Sequence, residues 1–126
     1  MNIPENLKYT KSHEWVEFIE ENKIRTGLSD FAQNAMGSLV FVNLPEEGDE
    51  VSAGTSYADV ESVKAVSDVN APATGTVSAV NEELLDAPEK INEDPYGSWL
   101  IEISDISDTE ELMDAGAYEA FCREEE

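Results

Sequence analysis

Basic residues are scarce in this chain: 7 Lys and Arg stand against 29 Asp and Glu, for a formal charge of −22. Phosphate binding needs a basic face, and none can be assembled here, so nucleic acid and anionic membrane surfaces are excluded as partners. Cysteine is limited to Cys122, which has no second thiol to bridge and places no demand on an oxidising compartment. His13 is the one histidine, and without a neighbouring cysteine it cannot build a zinc site. No apolar run approaches the ~18–20 residues that span a bilayer. The opening Met1-Asn2-Ile3-Pro4-Glu5 has neither the basic start of a secretion signal nor an Arg-rich transit helix, so a cytoplasmic location is expected. The alternating Asp/Asn, Gly and closing Glu of a calcium loop are missing too.

What remains is the make-up of a folded globule. With 126 residues, 40% of them hydrophobic, the chain is long enough for one compact domain, and we read 1–126 as a single unit. The acidic residues are spread along its length, apart from the closing Glu124-Glu125-Glu126. A surface of this kind stays soluble where salt screens its self-repulsion, which points to a halophilic source.

Most segments read as short strands between turn signals. His13 to Ile19 and Lys23 to Leu28 flank a polar tip and predict a hairpin. A short helix follows, with Ser29 or Asp30 to start it and Gly37 to stop it. Leu39 to Leu44 is a strand ended by Pro45, and further strands are expected around Val51, over Tyr57 to Glu61 and over Thr76 to Val80. Trp99 to Ile103 alternates, with Trp99, Ile101 and Ile103 on one face. Ser107 followed by Glu110 has capping-box spacing and predicts a helix through Leu112 and Met113, interrupted at Gly116; Tyr118, Phe121 and Cys122 then recur at helical spacing. These features indicate a mainly β fold, a flattened β barrel or sandwich with a short internal helix and C-terminal helices over about 107–123.

The segment from Pro45 to Val80 has the clearest functional content. Two similar pieces, Gly48-Asp49-Glu50-Val51 leading into Tyr57–Val63 and Ala65–Val69 leading into Ala71-Pro72 and Gly75-Thr76-Val77, flank Lys64. A lysine at a hairpin tip is a good attachment point, because its stem reaches outward and its amine can be acylated. By residue type alone, a plain solvated lysine in a turn is the better reading, and it is the surrounding spacing that favours attachment.

The order Glu61-Ser62-Val63-Lys64-Ala65, Ala71-Pro72 and Gly75-Thr76-Val77 resembles the lipoyl/biotinyl carrier domains, and the lipoyl-bearing core is placed at about 40–103. Biotin carriers usually have Met on both sides of the lysine, whereas Val63 and Ala65 stand here. The run VESVKAVSDVNAP, with YTKSHEWVE, GLSDFAQ, VFVNLPEEGDEV, VNEEL, NEDPYG and WLIEI, is similar to the glycine cleavage H proteins over almost the whole chain. Gly37-Ser38-Leu39 and the single Ser98 between Gly97 and Trp99 depart from that pattern.

The resemblance implies a hammerhead hybrid fold and a non-catalytic carrier, with lipoate attached covalently to Lys64. It also implies partners. Glycine decarboxylase (the P protein) loads an aminomethyl group, a tetrahydrofolate-dependent aminomethyltransferase (the T protein) takes it, and dihydrolipoyl dehydrogenase (the L protein) reoxidises the arm. A lipoate ligase or lipoyl transferase attaches the group. Family members fold the loaded arm into a cleft, and the positions that match the amine-holding residues are Ser12, Glu14 and Asp68. The chain is expected to be a monomer with transient partner contacts. A lipoyl relay that supplies other carriers would have the same sequence features. An enzyme using Lys64 as a Schiff-base nucleophile would need that lysine desolvated. His13 is expected to be structural, and Trp15, Trp99 and Cys122 to pack in the core.

Overall fold

A computed structural model describes residues 1–125 as a mainly β molecule of two antiparallel sheets, neither closed into a barrel. The first sheet has the order β1 (Lys8–Tyr9), β2 (Glu14–Glu20), β3 (Lys23–Leu28), β9 (Ile101–Thr109), β8 (Ala73–Val80), β5 (Glu50–Val51). The second contains β4 (Leu39–Asn43), β6 (Ser56–Ser62) and β7 (Val66–Asn70) in the order β4-β6-β7. The β2–β3 hairpin is the expected one, with Val16 and Ile24 buried on its inner face.

Helix α1 (Asp30–Met36) follows directly. Its first turn is capped by Ser29, whose Oγ accepts from the Ala32 N–H, and Gly37 stops it at φ +83°, where a side chain would be strained. Two short turns of helix, α2 (Glu83–Asp86) and α3 (Lys90–Glu93), link β8 to β9 and bury Leu84 and Ile91; no local pattern had suggested them. At Gly75 the two strands come so close that a Cβ would lie 2.5 Å from the Ser104 carbonyl oxygen.

The C-terminal third differs from the sequence-based expectation. Ser107 does not cap a helix: Asp108 and Thr109 pair with Thr74 and Ala73, so the strand that begins at Ile101 runs on through Thr109. The Glu110 N–H then donates to the Pro72 carbonyl, and Met113 exchanges backbone hydrogen bonds with Tyr9. Sheet pairing thus uses the backbone groups that a capping box would need, and tertiary pairing outweighs the local preference. One C-terminal helix, α4 (Ala115–Glu125), starts instead behind Asp114, whose Oδ1 accepts from the Ala117 N–H; Gly116 lies in its first turn and interrupts nothing. Trp99 also departs from expectation: it precedes β9, only partly buried, with Arg25 lying over its ring, while Leu100 fills the core.

Three apolar clusters hold these parts together. Leu28, Val42, Val60, Leu84 and Leu100 fill the space beneath the small sheet and α1, and Val16, Ile24, Val77, Ile101 and Ile103 line the large sheet. Tyr9, Trp15, Tyr118 and Cys122 anchor α4, with the rings of Tyr9 and Tyr118 stacked 4.4 Å apart. Trp15 and Cys122 are core residues as expected.

Candidate functional site

β6 and β7 form a hairpin with Lys64 in its turn, and the turn is tied by one serine. Ser62 N–H donates to the Ala65 carbonyl at 2.8 Å, and Ser62 Oγ accepts from the N–H groups of Ala65 and Lys64. A serine that folds back on its own turn in this way leaves the next residues no choice but to point outward. Val63, Lys64, Ala65 and Val66 are all exposed, Val63 at 79% and Val66 at 66%. A Schiff-base nucleophile, which needs a desolvated amine, finds no such setting here.

The stem of Lys64 returns over the end of α1. A Cβ at Gly37 would lie 3.3 Å from Lys64 Cε, so the glycine that stops the helix also clears room for the lysine. Along α1 lies a cleft of about 140 Å³, walled by Phe31, Ala32, Ala35 and Met36 of that helix and by Leu28 and Val60. Its polar end is made by Ser12, His13 and Glu14, with Ser67 and Asp68 on the β7 side. The three residues expected to hold an amine are therefore brought to one cleft.

They are not equivalent. Glu14 is buried, 2% exposed, and its Oε1 accepts from the hydroxyls of Thr10 and Ser12. Its Oε2 has only a long contact of 3.4 Å from the Asn70 N–H and keeps accepting capacity. Burial raises the Glu14 pKa, against the hydrogen bonds from Ser12, Thr10 and Asn70 and the nearby His13, which act to lower it. Asp68 is exposed at the rim, directly across from Asp59 of β6.

His13 occupies a left-handed turn at φ 72° and fastens the cleft to the C-terminal helix. Its Nδ1 lies 2.7 Å from the Tyr118 hydroxyl and its Nε2 2.6 Å from Glu125, while its ring stacks on Phe31. Its role is structural, as expected, but it secures α4 rather than the first hairpin. Among the described residues no cluster of acidic, His and Cys side chains could hold a metal ion.

The family model for the glycine cleavage H-protein matches residues 7–125. The chain belongs to the glycine cleavage H-protein family. It is 58% identical over 125 residues to the glycine cleavage system H protein of Lachnoclostridium phytofermentans, covering 99% of this chain and 98% of that one. The H protein of Acidobacterium capsulatum is 52% identical, with the same coverage. The crystal structure of a glycine cleavage system H protein from Mycobacterium marinum superposes with a TM-score of 0.88 at 41% identity, covering 94% of this chain and 97% of that one. H proteins are the lipoyl carriers of the glycine cleavage system and hold lipoate covalently. The residues present fit such a group: an exposed lysine, a glycine that clears its stem, and an apolar channel ending in a carboxylate.

Sequence reasoning did not pick out the apolar wall of the cleft or Thr10. The α1 part of the wall had a legible signal, since Ala32, Ala35 and Met36 follow helical spacing.

Proposed function

We propose that Lys64 is the lipoyl attachment site, and that the chain is a non-catalytic, single-domain carrier that shelters its loaded arm in the α1 cleft. The observation that carries this reading is the exposed turn that presents Lys64, with its stem against Gly37 at the end of α1, the helix whose flank lines the cleft containing Glu14. When bound, the lipoyl group supplies a disulfide that accepts the aminomethyl fragment of glycine and can be reoxidised after that fragment is passed on. The rest is done by the protein. Tethering at Lys64 replaces diffusion with a high local concentration at each partner. The apolar faces of Phe31, Ala35 and Met36 exclude water from the arm. Ser12 and Glu14 receive a primary ammonium group at the inner end, where a buried carboxylate gives a strong charge-assisted hydrogen bond, and Asp68 supplies negative charge at the rim.

The partners in this reading are glycine decarboxylase, the aminomethyltransferase and dihydrolipoyl dehydrogenase, with a lipoate ligase or lipoyl transferase for attachment. Phe41, Glu61 and Val66 share one register level and hence one face of the small sheet, next to Val63 and Val40 at the tip. Phe41 and Val40 are 51% and 54% exposed. An apolar patch around the modified lysine suits brief docking by a monomer that must leave each partner in turn. Cytoplasmic location and adaptation to salt complete the reading; a folded signal unchanged by dialysis into millimolar salt would count against the latter.

The test is the intact mass of the protein from its native source, followed by peptide mapping across Lys64. An increase of one lipoyl group on Lys64 is expected. A lysine left unmodified after incubation with lipoate, ATP and a competent ligase would reject the swinging arm. A biotin-sized increase would place the chain's chemistry with the biotin carriers.

A further inference from the structure

The hydroxyl of Ser62 is used entirely inside the turn that presents Lys64. Its Oγ accepts from the Ala65 N–H at 3.1 Å and from the Lys64 N–H at 3.3 Å, and it donates to the Ala65 carbonyl at 3.4 Å. A hydroxyl has one donor and two lone pairs, and here all three are engaged within the same four residues.

The turn depends on that help. Glu61 pairs with Val66, and the Ser62 N–H donates to the Ala65 carbonyl at 2.8 Å, so Val63 and Lys64 are the central residues of a two-residue hairpin loop. Such loops favour left-handed residues, at both central positions in one common form and at the first in the other, and are usually filled by Asn, Asp or Gly. A β-branched valine is poorly suited to that conformation. Among the described residues other than glycine, positive φ occurs only at His13 and Asp105, so Val63 and Lys64 both keep the ordinary sign. Turns of that sign tend to splay the flanking strands. The serine side chain counters this. In a regular narrow pair the Ala65 N–H would return to the carbonyl opposite; here it goes to Ser62 Oγ.

We propose that Ser62 is a positioning residue for the acylation of Lys64: its side chain stands in for a backbone acceptor and so fixes the loop in the shape that offers Nζ to a modifying enzyme. The proposal rests on Lys64 as the lipoyl attachment site. Attachment forms a bond from Nζ to the carboxyl carbon of lipoate, activated by ATP as an acyl phosphate anhydride. The carbon–oxygen bond to the phosphate breaks, the nucleotide phosphate leaves with the electron pair, and the amine releases its protons to solvent. Ser62 takes no part in those bonds. It acts on recognition, because an enzyme that must first order a loose loop loses affinity in proportion to the time the loop spends in other shapes. The loop has no substitute of its own: Val63 and Ala65 carry no polar side-chain atom, and the Lys64 side chain is the group to be modified.

The test uses the full-length apo protein with lipoate, ATP and a lipoate ligase. The initial rate of mass gain is measured against protein concentration in wild type, Ser62→Ala and Ser62→Thr. Ser62→Ala is expected to raise KM about fivefold with kcat unchanged, as for a loop that is competent only part of the time. Ser62→Thr keeps the hydroxyl and is expected to stay within about twofold of the wild-type KM. Acetylation of Lys64 by a small N-hydroxysuccinimide ester should proceed at one rate in all three, since the amine itself is unaltered; a slower rate in Ser62→Ala overturns the positioning role. An unchanged KM in Ser62→Ala, or a KM raised equally in Ser62→Thr, also overturns it. A wild type that takes up no lipoate overturns the attachment reading and this proposal with it, whereas a modified wild type with an indifferent Ser62→Ala rejects Ser62 alone. Should Ser62→Ala not fold, amide exchange in the wild type decides. An Ala65 amide that exchanges more slowly than the Val63 amide, each relative to its intrinsic rate, supports the tie, and equal protection overturns it.

Discussion

At the Lys64 end of the cleft, one serine and the backbone of a tight turn hold the chain, and Val63, Lys64, Ala65 and Val66 all face solvent. At the Glu14 end the carboxylate itself is buried and held by two hydroxyls, beside His13 and Phe31, whose rings stack. One end presents a side chain to solvent and the other withdraws a charge from it. The difference shows that a carrier needs two unlike kinds of rigidity. The turn must aim a side chain without enclosing it, whereas the inner site must keep a charge available in a place that disfavours charge.

The comparison is broken most completely at Lys64. Lys64→Arg keeps charge and length but offers no acylatable amine, and it should abolish activity in a reconstituted glycine cleavage assay while circular dichroism stays native. Full activity in that variant would reduce the hairpin to a plain interaction surface. Gly37→Ala attacks the joint between the two ends. Its φ of +83° and the 3.3 Å approach to Lys64 Cε predict a loss of about 1–2 kcal/mol, measurable by urea unfolding. It should also shorten the lifetime of the loaded carrier, because the new methyl group pushes the stem off the helix end.

His13→Gln loosens the inner end from outside. The stack on Phe31 and the bonds to Tyr118 and Glu125 are lost or weakened, so α4 should exchange its amide hydrogens faster than the β6–β7 hairpin does.

The smallest effect is one of pH. Glu14 has a raised pKa in the folded state, so the folded protein binds that proton more readily than the unfolded chain. Its contribution is favourable below the unfolded value and is lost as pH rises through the folded one. Thermal stability of Glu14→Gln relative to wild type should therefore climb from acid toward neutral pH. A flat difference would mean that burial does not dominate at Glu14.

The exposed end of the cleft was largely legible in the sequence, and the inner end was not. The β2–β3 hairpin, the Ser29 and Gly37 caps of α1 and the placing of Lys64 in a turn all depend on neighbours within a few residues. The buried state of Glu14 depends on segments distant in sequence, Asn70 and the α1 cleft among them, and among 29 acidic residues nothing local marks it. Ser107 and Glu110 show the same limit from the other side. Their spacing is that of a helix start, but Asp108 and Thr109 between them pair with β8, and only the assembled sheet reveals that.

The large sheet has a consequence for how the protein is made. β3 pairs with β9, so the N-terminal hairpin waits for the last strand before its edge is closed, whereas β6 and β7 pair across one turn. Contacts close in sequence form first, and a chain leaving the ribosome completes its early segments before its late ones. The hairpin that bears Lys64 thus takes shape on a nascent chain while the large sheet still lacks β9, the strand that joins its two halves.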